Sequence, residues 1–222
     1  MIKVLELFAG SRSVGKVAEE LGMEVFSSDI NNFDGINYVV NILEFDYSKV
    51  PFTPDVIWAS PPCTGFSVAA IGYHWGGGKG AYVPKTETAR LGIELVKKTL
   101  EIIDYYKPKY WFMENPRGVL RKMDIVKNLK RNTVTYCQYG DERMKPTDIW
   151  TNSDVWVPRK MCKNGDPCHV AAPRGSRTGT QGRSNAYERS KIPNDLCHEI
   201  LNSCLNEPQN QGIFINVRNT TN

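Results

Sequence analysis

Short apolar runs alternating with amphipathic stretches fill the first 150 residues, and that alternation leaves few folds open to the chain. Ile2 to Leu7 reads as a buried strand, Ser13 to Leu21 as a helix closed by Gly22, and Glu24 to Ser28 as the next strand. A polar turn through Asn31-Asn32-Phe33-Asp34-Gly35 leads to a third strand near Tyr38-Val39-Val40, and a fourth spans Asp55 to Ala59. Between Thr86 and Tyr106, Ile93, Val96, Leu100 and Ile103 recur at the spacing of one helical face, until Pro108 stops the helix. Tyr110 to Met113 is a fifth strand, Met123 to Leu129 a helix, and Thr133 to Tyr139 and Asp148 to Thr151 two further strands. The pattern predicts a doubly wound α/β sheet, in which ligands bind beyond the carboxyl ends of the strands.

The rhythm breaks at Pro158 to Ser190, which is rich in Gly, Ser, Arg and Pro and has no apolar period. A chain of 222 residues fits one domain carrying a small insertion. The predicted organisation is a main domain over 1–157, an insertion over 158–191, and a returning segment over 192–222. That last segment holds a helix from Ile192 to Leu205, with Leu196, Ile200 and Cys204 on one face, and a polar tail relieved by Ile213-Phe214-Ile215. Net charge is +4, yet Pro158 to Lys191 carries eight Lys and Arg against two acidic residues, which leaves the remainder net negative. Basic character concentrated in this way predicts a polyanion partner. No apolar run approaches the roughly 18–20 residues that span a bilayer, and Met1-Ile2-Lys3-Val4-Leu5 lacks the layout of a signal peptide. A soluble cytoplasmic protein with reduced thiols is expected, so each of the six cysteines is judged singly.

One of them stands out. Ser60-Pro61-Pro62-Cys63 follows the apolar run Val56-Ile57-Trp58-Ala59, so the thiol lies at the carboxyl end of a strand on a bend stiffened by two prolines. In isolation such a cysteine reads as a small buried core residue. Its neighbours point elsewhere. Glu6-Leu7-Phe8-Ala9-Gly10-Ser11-Arg12-Ser13-Val14-Gly15 closes the first strand, Met113-Glu114-Asn115-Pro116-Arg117-Gly118 ends a later one, and Tyr139-Gly140-Asp141-Glu142-Arg143-Met144-Lys145 follows another.

In this order the four segments resemble those of the DNA cytosine C5-methyltransferases, compact members from bacteria or phages above all. The resemblance covers most of residues 1–150 and a weaker stretch near the carboxyl end. It implies a Rossmann-like fold that binds S-adenosylmethionine, with a small irregular recognition insertion. Implied roles fall on Cys63 as nucleophile toward carbon 6 of cytosine, on Glu114 as proton donor to ring nitrogen 3, and on Arg143 and Lys145 as grips for the cytosine carbonyl and a flanking phosphate. Asn115 and Pro116 would hold the carboxylate. The loop after the first strand offers only Gly10 and Gly15 rather than the three close glycines of a dinucleotide-binding turn, so a ligand without phosphates fits better. The implied cofactor contacts are Phe8, Ala9, Gly10, Ser11, Ser13, Asp29, Ile30, Asn41, Ile42 and Pro61, with Phe8 packed on adenine and Asp29 accepting from ribose hydroxyls. The chain departs from the family pattern at Ser13 (usually Gly), Asn41 (Asp), Asp141 (Gln) and Lys145 (Arg).

Attack on carbon 6 requires the base to leave the stack. Thr64 to Tyr82, with Ser67, bulky His74 and Trp75 and a run of glycines, reads as a mobile loop that would hold the gap. Duplex DNA is the implied partner, met by Ser67 and by the insertion through Arg174, Arg177 and Arg183. Cys162, Cys168 and His169 are a possible zinc set whose fourth ligand would be Cys137 or Cys197. Their spacing is not Cys-x-x-Cys, and reduced thiols with a surface histidine are the preferred reading. A monomer acting in a bacterial cell or phage-infected host, in restriction-modification or a related role, is expected. The alternatives are a tRNA-directed enzyme of the same family or an inactive DNA-binding relative. Amino-methylation is disfavoured, because Ser60 and Cys63 stand where that chemistry needs an Asp or Asn and an aromatic ring.

Overall fold

Alternate side chains along each central strand enter opposite cores, and that pleat places everything else. The computed structural model describes residues 1–78, 80–163, 165–170 and 186–205, with the backbone alone at 186. Its main sheet runs β3 (Tyr38–Val39), β2 (Glu24–Asp29), β1 (Lys3–Leu7), β4 (Val56–Ala59), β7 (Tyr110–Pro116), β9 (Pro146–Thr151), β8 (Arg131–Thr135). All neighbours are parallel except β9, which is antiparallel to both β7 and β8. A short antiparallel pair, β5 (Trp75–Gly76) and β6 (Val83–Pro84), lies apart from it.

Leu5, Leu7, Ile57, Ala59, Trp111 and Met113 face a core shared with α3 (Glu87–Tyr106). Val4, Val56, Trp58, Tyr110 and Phe112 face a second core under α1 (Ser13–Glu20) and α5 (Asn194–Leu205). Helices on both faces explain why β1, β4 and β7 read as unbroken apolar runs. Thr86 caps α3 by accepting from the Ala89 amide, and Lys107 ends it in the left-handed conformation one residue before Pro108.

Three expectations change. Met123–Leu129 is not a helix: single 3-10 turns at Leu120–Lys122 and Asp124–Val126 take its place, with Leu120, Met123 and Val126 filling the α3-side core. The strand expected over Thr133–Tyr139 stops at Thr135 and turns into a 3-10 segment, Tyr136–Tyr139, closed by Gly140 with φ 83°. The stretch read as a mobile loop, Thr64 to Tyr82, carries short elements: two 3-10 turns, α2 (Ile71–His74) and β5, which pairs with β6 just beyond it. Trp75 anchors it, stacked on Phe66 at 6.0 Å and donating from Nε1 to the Gly65 carbonyl at 2.7 Å.

α4 (Ala186–Ser190) brings the far end of the insertion back to the carboxyl edge of the sheet, where Tyr187 meets Phe33. No helix among the described residues is long and apolar enough to cross a membrane.

Candidate active site

The carboxyl ends of β1, β4 and β7 open on a cavity of about 620 Å3, inside the range of about 300–1,000 Å3 common for cofactor and ligand pockets. Its first wall is the loop from Phe8 to Ser13. Phe8, Gly10 and Arg12 all have positive φ, so the chain folds back sharply before α1 begins. Arg12 is held in that conformation by Ser27 Oγ and Glu19.

Glu6 explains the chemistry of this loop. Its carboxylate, buried in β1, accepts from the Val14 and Gly15 amides at 3.2 and 3.1 Å and from Ser27 Oγ at 2.9 Å. Those amides form the amino terminus of α1, the place where a phosphate binds in nucleotide folds. An internal anion already fills it. Burial pushes the Glu6 carboxyl up to about 6, against the hydrogen bonds that favour its charged form.

Cys63 and Glu114 line the same cavity. Cys63 ends the proline bend; solvent reaches its side chain, yet protein surrounds the recess and its low polarity raises the thiol above its ordinary value. The Lys145 ammonium opposes that rise, and the Glu114 carboxylate adds to it. Glu114 is 5% exposed, and burial raises its carboxyl too, opposed by Lys145 and by the Tyr136 hydroxyl. Tyr136 donates to Glu114 Oε1 at 2.8 Å. Asn115 Nδ2 donates to the Pro61 carbonyl at 2.8 Å and ties the end of β7 to the bend that carries the thiol. Gly118 completes the joint: the next amide, Val119, donates to the Phe66 carbonyl, and a Cβ on Gly118 would lie 2.3 Å from that oxygen.

The two expected cations behave differently. Arg143, 1% exposed, is clamped by both oxygens of Asp141 and donates to the carbonyls of Arg189 and Lys191. Lys145 lies over the Tyr136 ring at 4.7 Å and bears electrostatically on both Cys63 and Glu114. Asp141, which stands for the family's glutamine, thus spends its charge on Arg143.

Of the expected cofactor contacts, Phe8, Ala9, Gly10, Ser11, Ser13 and Pro61 line the cavity, as does Ser67. Asp29 ends β2 with Oδ2 accepting from the Gly10 amide and Oδ1 from the Asn31 amide, so it braces the loop. Ile30 is exposed, Asn41 caps a 3-10 turn by accepting from the Leu43 amide, and Ile42 packs into the α3-side core. These three and Asp29 lie outside the cavity lining. Arg174, Arg177 and Arg183 lie outside the described residues, as does the tail from Asn206. Cys162, Cys168 and His169 come together with Cys137, whereas Cys197 is buried on α5 in the other core. Sequence reasoning missed Glu6 and Tyr136. A lone carboxylate inside an apolar run was the available signal for Glu6, and Tyr136 offered none beyond its aromatic bulk.

Residues 2–136 match the family model described as C-5 cytosine-specific DNA methylase. A protein of Frog virus 3 (isolate Goorha) named "Probable DNA (cytosine-5)-methyltransferase" is 31% identical over 220 residues, covering 91% of this chain and all of that protein. Among solved structures, an E. coli prophage protein described as a "putative DNA modification methyltransferase" superposes with a TM-score of 0.51 at 15% identity, over 73% of this chain and 52% of its own. The Entamoeba histolytica methyltransferase EhMeth gives 0.49 at 15% identity, over 72% and 56%. The chain spans about half the length of these solved structures.

Proposed function

The chain belongs to the C-5 cytosine-specific DNA methylase family, and from that premise we propose that it methylates carbon 5 of a cytosine flipped out of duplex DNA, through a transient bond to Cys63. The observation that carries the reading is the meeting of Cys63 and Glu114 in one cavity with the Phe8–Ser13 loop, cross-tied by Asn115 and Tyr136.

S-adenosylmethionine is the cofactor expected for the family, and when bound it supplies an electrophilic methyl group. The residues present fit it. Phe8, Ala9, Gly10, Ser11 and Ser13 offer an aromatic face, amides and hydroxyls to a ligand that needs no phosphate site, and Glu6 keeps the helix terminus closed to phosphates.

The chain's own work concerns the base. Ionisation of the Cys63 thiol to solvent is favoured by the Lys145 charge. The thiolate then bonds ring carbon 6, and Glu114, kept protonated more readily by burial, gives its proton to nitrogen 3. The electrons displaced from the carbon 5–carbon 6 bond become available at carbon 5 without leaving an anion on the ring. After carbon 5 has gained its methyl group, loss of its proton to solvent expels Cys63 as thiolate, and nitrogen 3 returns its proton to Glu114. Arg143 holds the 141–145 loop through Asp141 and the 189–191 backbone, while Lys145 is the cation that serves the reacting groups. The basic segment 158–191 is assigned to the DNA backbone on its charge.

The test is trapping. Duplex DNA carrying 5-fluorocytosine cannot lose its carbon 5 substituent as a proton, so the expected result is a covalent complex at Cys63, absent from Cys63→Ala. Methylation of tRNA with none of DNA in parallel assays would redirect the substrate assignment, and neither adduct nor methylation on either would defeat the reading.

A further inference from the structure

We propose that Cys137, Cys162, Cys168 and His169 form a structural zinc site that staples the insertion to the catalytic body. Zinc–sulfur bonds of about 2.3 Å and zinc–nitrogen bonds of about 2.0–2.1 Å give tetrahedral edges of roughly 3.8 Å between sulfurs and roughly 3.6 Å between sulfur and nitrogen. The distances here are 3.2 Å for Cys137–Cys162 and 3.6 Å for Cys168–Cys137 between Sγ atoms. His169 Nδ1 lies 3.5 Å from Cys168 Sγ and 3.8 Å from Cys162 Sγ. The four ligand atoms all fall within 4.8 Å of one another. Three thiols and an imidazole converging at one point is the Cys3His donor set of closed structural zinc sites.

The surroundings suit ligands rather than idle thiols. Gln138 Nε2 donates to Cys168 Sγ at 3.2 Å, the amide-to-sulfur bond that steadies a thiolate. The Cys162 amide donates to Thr135 Oγ1 at 3.1 Å, which fixes the backbone beneath the second sulfur. His169 points Nδ1 into the cluster, and its Nε2 is buried without a hydrogen-bond partner among the described residues. A neutral imidazole bound through Nδ1 carries its proton at that second nitrogen.

Position gives the site its purpose. Cys137 belongs to the 3-10 turn that begins with Tyr136, whose hydroxyl holds Glu114. The other three ligands begin the insertion, where Val170 is exposed and the apolar side chains of 158–170 supply little to hold a fold. The Val170 amide donates to the Glu142 carbonyl, joining the last ligand to the loop that carries Arg143 and Lys145. Binding releases the thiol protons to solvent and leaves a half-buried site with one net negative charge.

The full chain, purified without chelators, should hold one zinc per molecule by plasma mass spectrometry, and Cys162→Ser and Cys168→Ser should hold almost none. Cobalt substituted for zinc should show a thiolate charge-transfer band and tetrahedral absorption. Chelation should lower the melting temperature of the wild-type chain, independently of any assay for methylation. If the variants fail to fold, alkylation of the wild type replaces them: Cys137, Cys162 and Cys168 should be protected by zinc and exposed by chelator, with solvent-accessible Cys63 reacting in both states. Substoichiometric zinc after incubation with the metal, a cobalt spectrum lacking the thiolate band, a Cys137–Cys162 disulfide by mass, or unchanged alkylation on chelation would each overturn the site.

Discussion

Tyr136→Phe removes one oxygen and leaves an isosteric ring in the core, so its effect isolates the bond to Glu114. That bond, 2.8 Å long between two buried groups, joins the phenol to a carboxyl that the reaction needs protonated, a neutral pair worth about 0.5–1.5 kcal/mol. Because the hydroxyl favours the charged carboxylate, its loss lets the Glu114 carboxyl rise further and frees it to leave its seat. If the acid is in place only when so held, the rate constant for methyl transfer should fall by roughly 2- to 12-fold, the same free energy expressed in kinetics. The assay is single-turnover transfer of radiolabelled methyl groups to duplex DNA across a pH series. The alkaline limb that reports loss of the Glu114 proton should move upward, since the group holds that proton more tightly. In a Glu114→Gln background the same substitution should add almost nothing. A rate within twofold of wild type with an unmoved limb, or a full additive loss in the double variant, would refute the coupling of these two side chains.

Other outcomes can be read as directly. Lys145→Met should slow iodoacetamide alkylation of Cys63 at neutral pH and shift its titration upward, because the ammonium is what holds the thiol down against burial; an unmoved curve would place the cation elsewhere. Glu6 binds its proton more tightly folded, at about 6, than at its ordinary 4.5, so the native state holds the proton that the unfolded chain releases and stability should fall as pH rises between those values. The loss should be about 2 kcal/mol in urea unfolding, and it should vanish in Glu6→Gln. Gly118→Ala should cost about 1–3 kcal/mol by thermal melting, since its methyl group would collide with the Phe66 carbonyl; a neutral substitution would show the joint to be loose. Glu114→Gln should slow methylation by about two to four orders of magnitude, and an unchanged rate would remove it from the chemistry.

What could be read from the chain was what neighbours in sequence decide. The runs Val4-Leu5, Val56-Ile57-Trp58-Ala59 and Tyr110 to Met113 are buried on both faces, so they announce central strands, and the residues just past them had to lie at one edge. Cys63 and Glu114 were legible for that reason. Tyr136 was not, because its role arises only when β8 yields to a 3-10 turn and carries the ring against a carboxylate 22 residues earlier. Ile42 was assigned to the cofactor from the family pattern, but a 3-10 turn rolls it into the core. The reversal of β9 and the 3-10 turns over Leu120–Val126 depend on packing that no local period records. Cys137 and Cys197 were equal candidates to join Cys162, Cys168 and His169, and only the fold, which brings the Cys137 thiol to Cys162 across 25 residues, chooses between them.

The carboxylate lodged in the first strand has a consequence for life among competitors. Every cell is crowded with adenosine carrying a polyphosphate tail, which shares half its shape with the expected methyl donor. With the Glu6 carboxylate seated on the amides that would greet such a tail, a polyphosphate would meet an anion instead of free donors, and a ligand without phosphates would not.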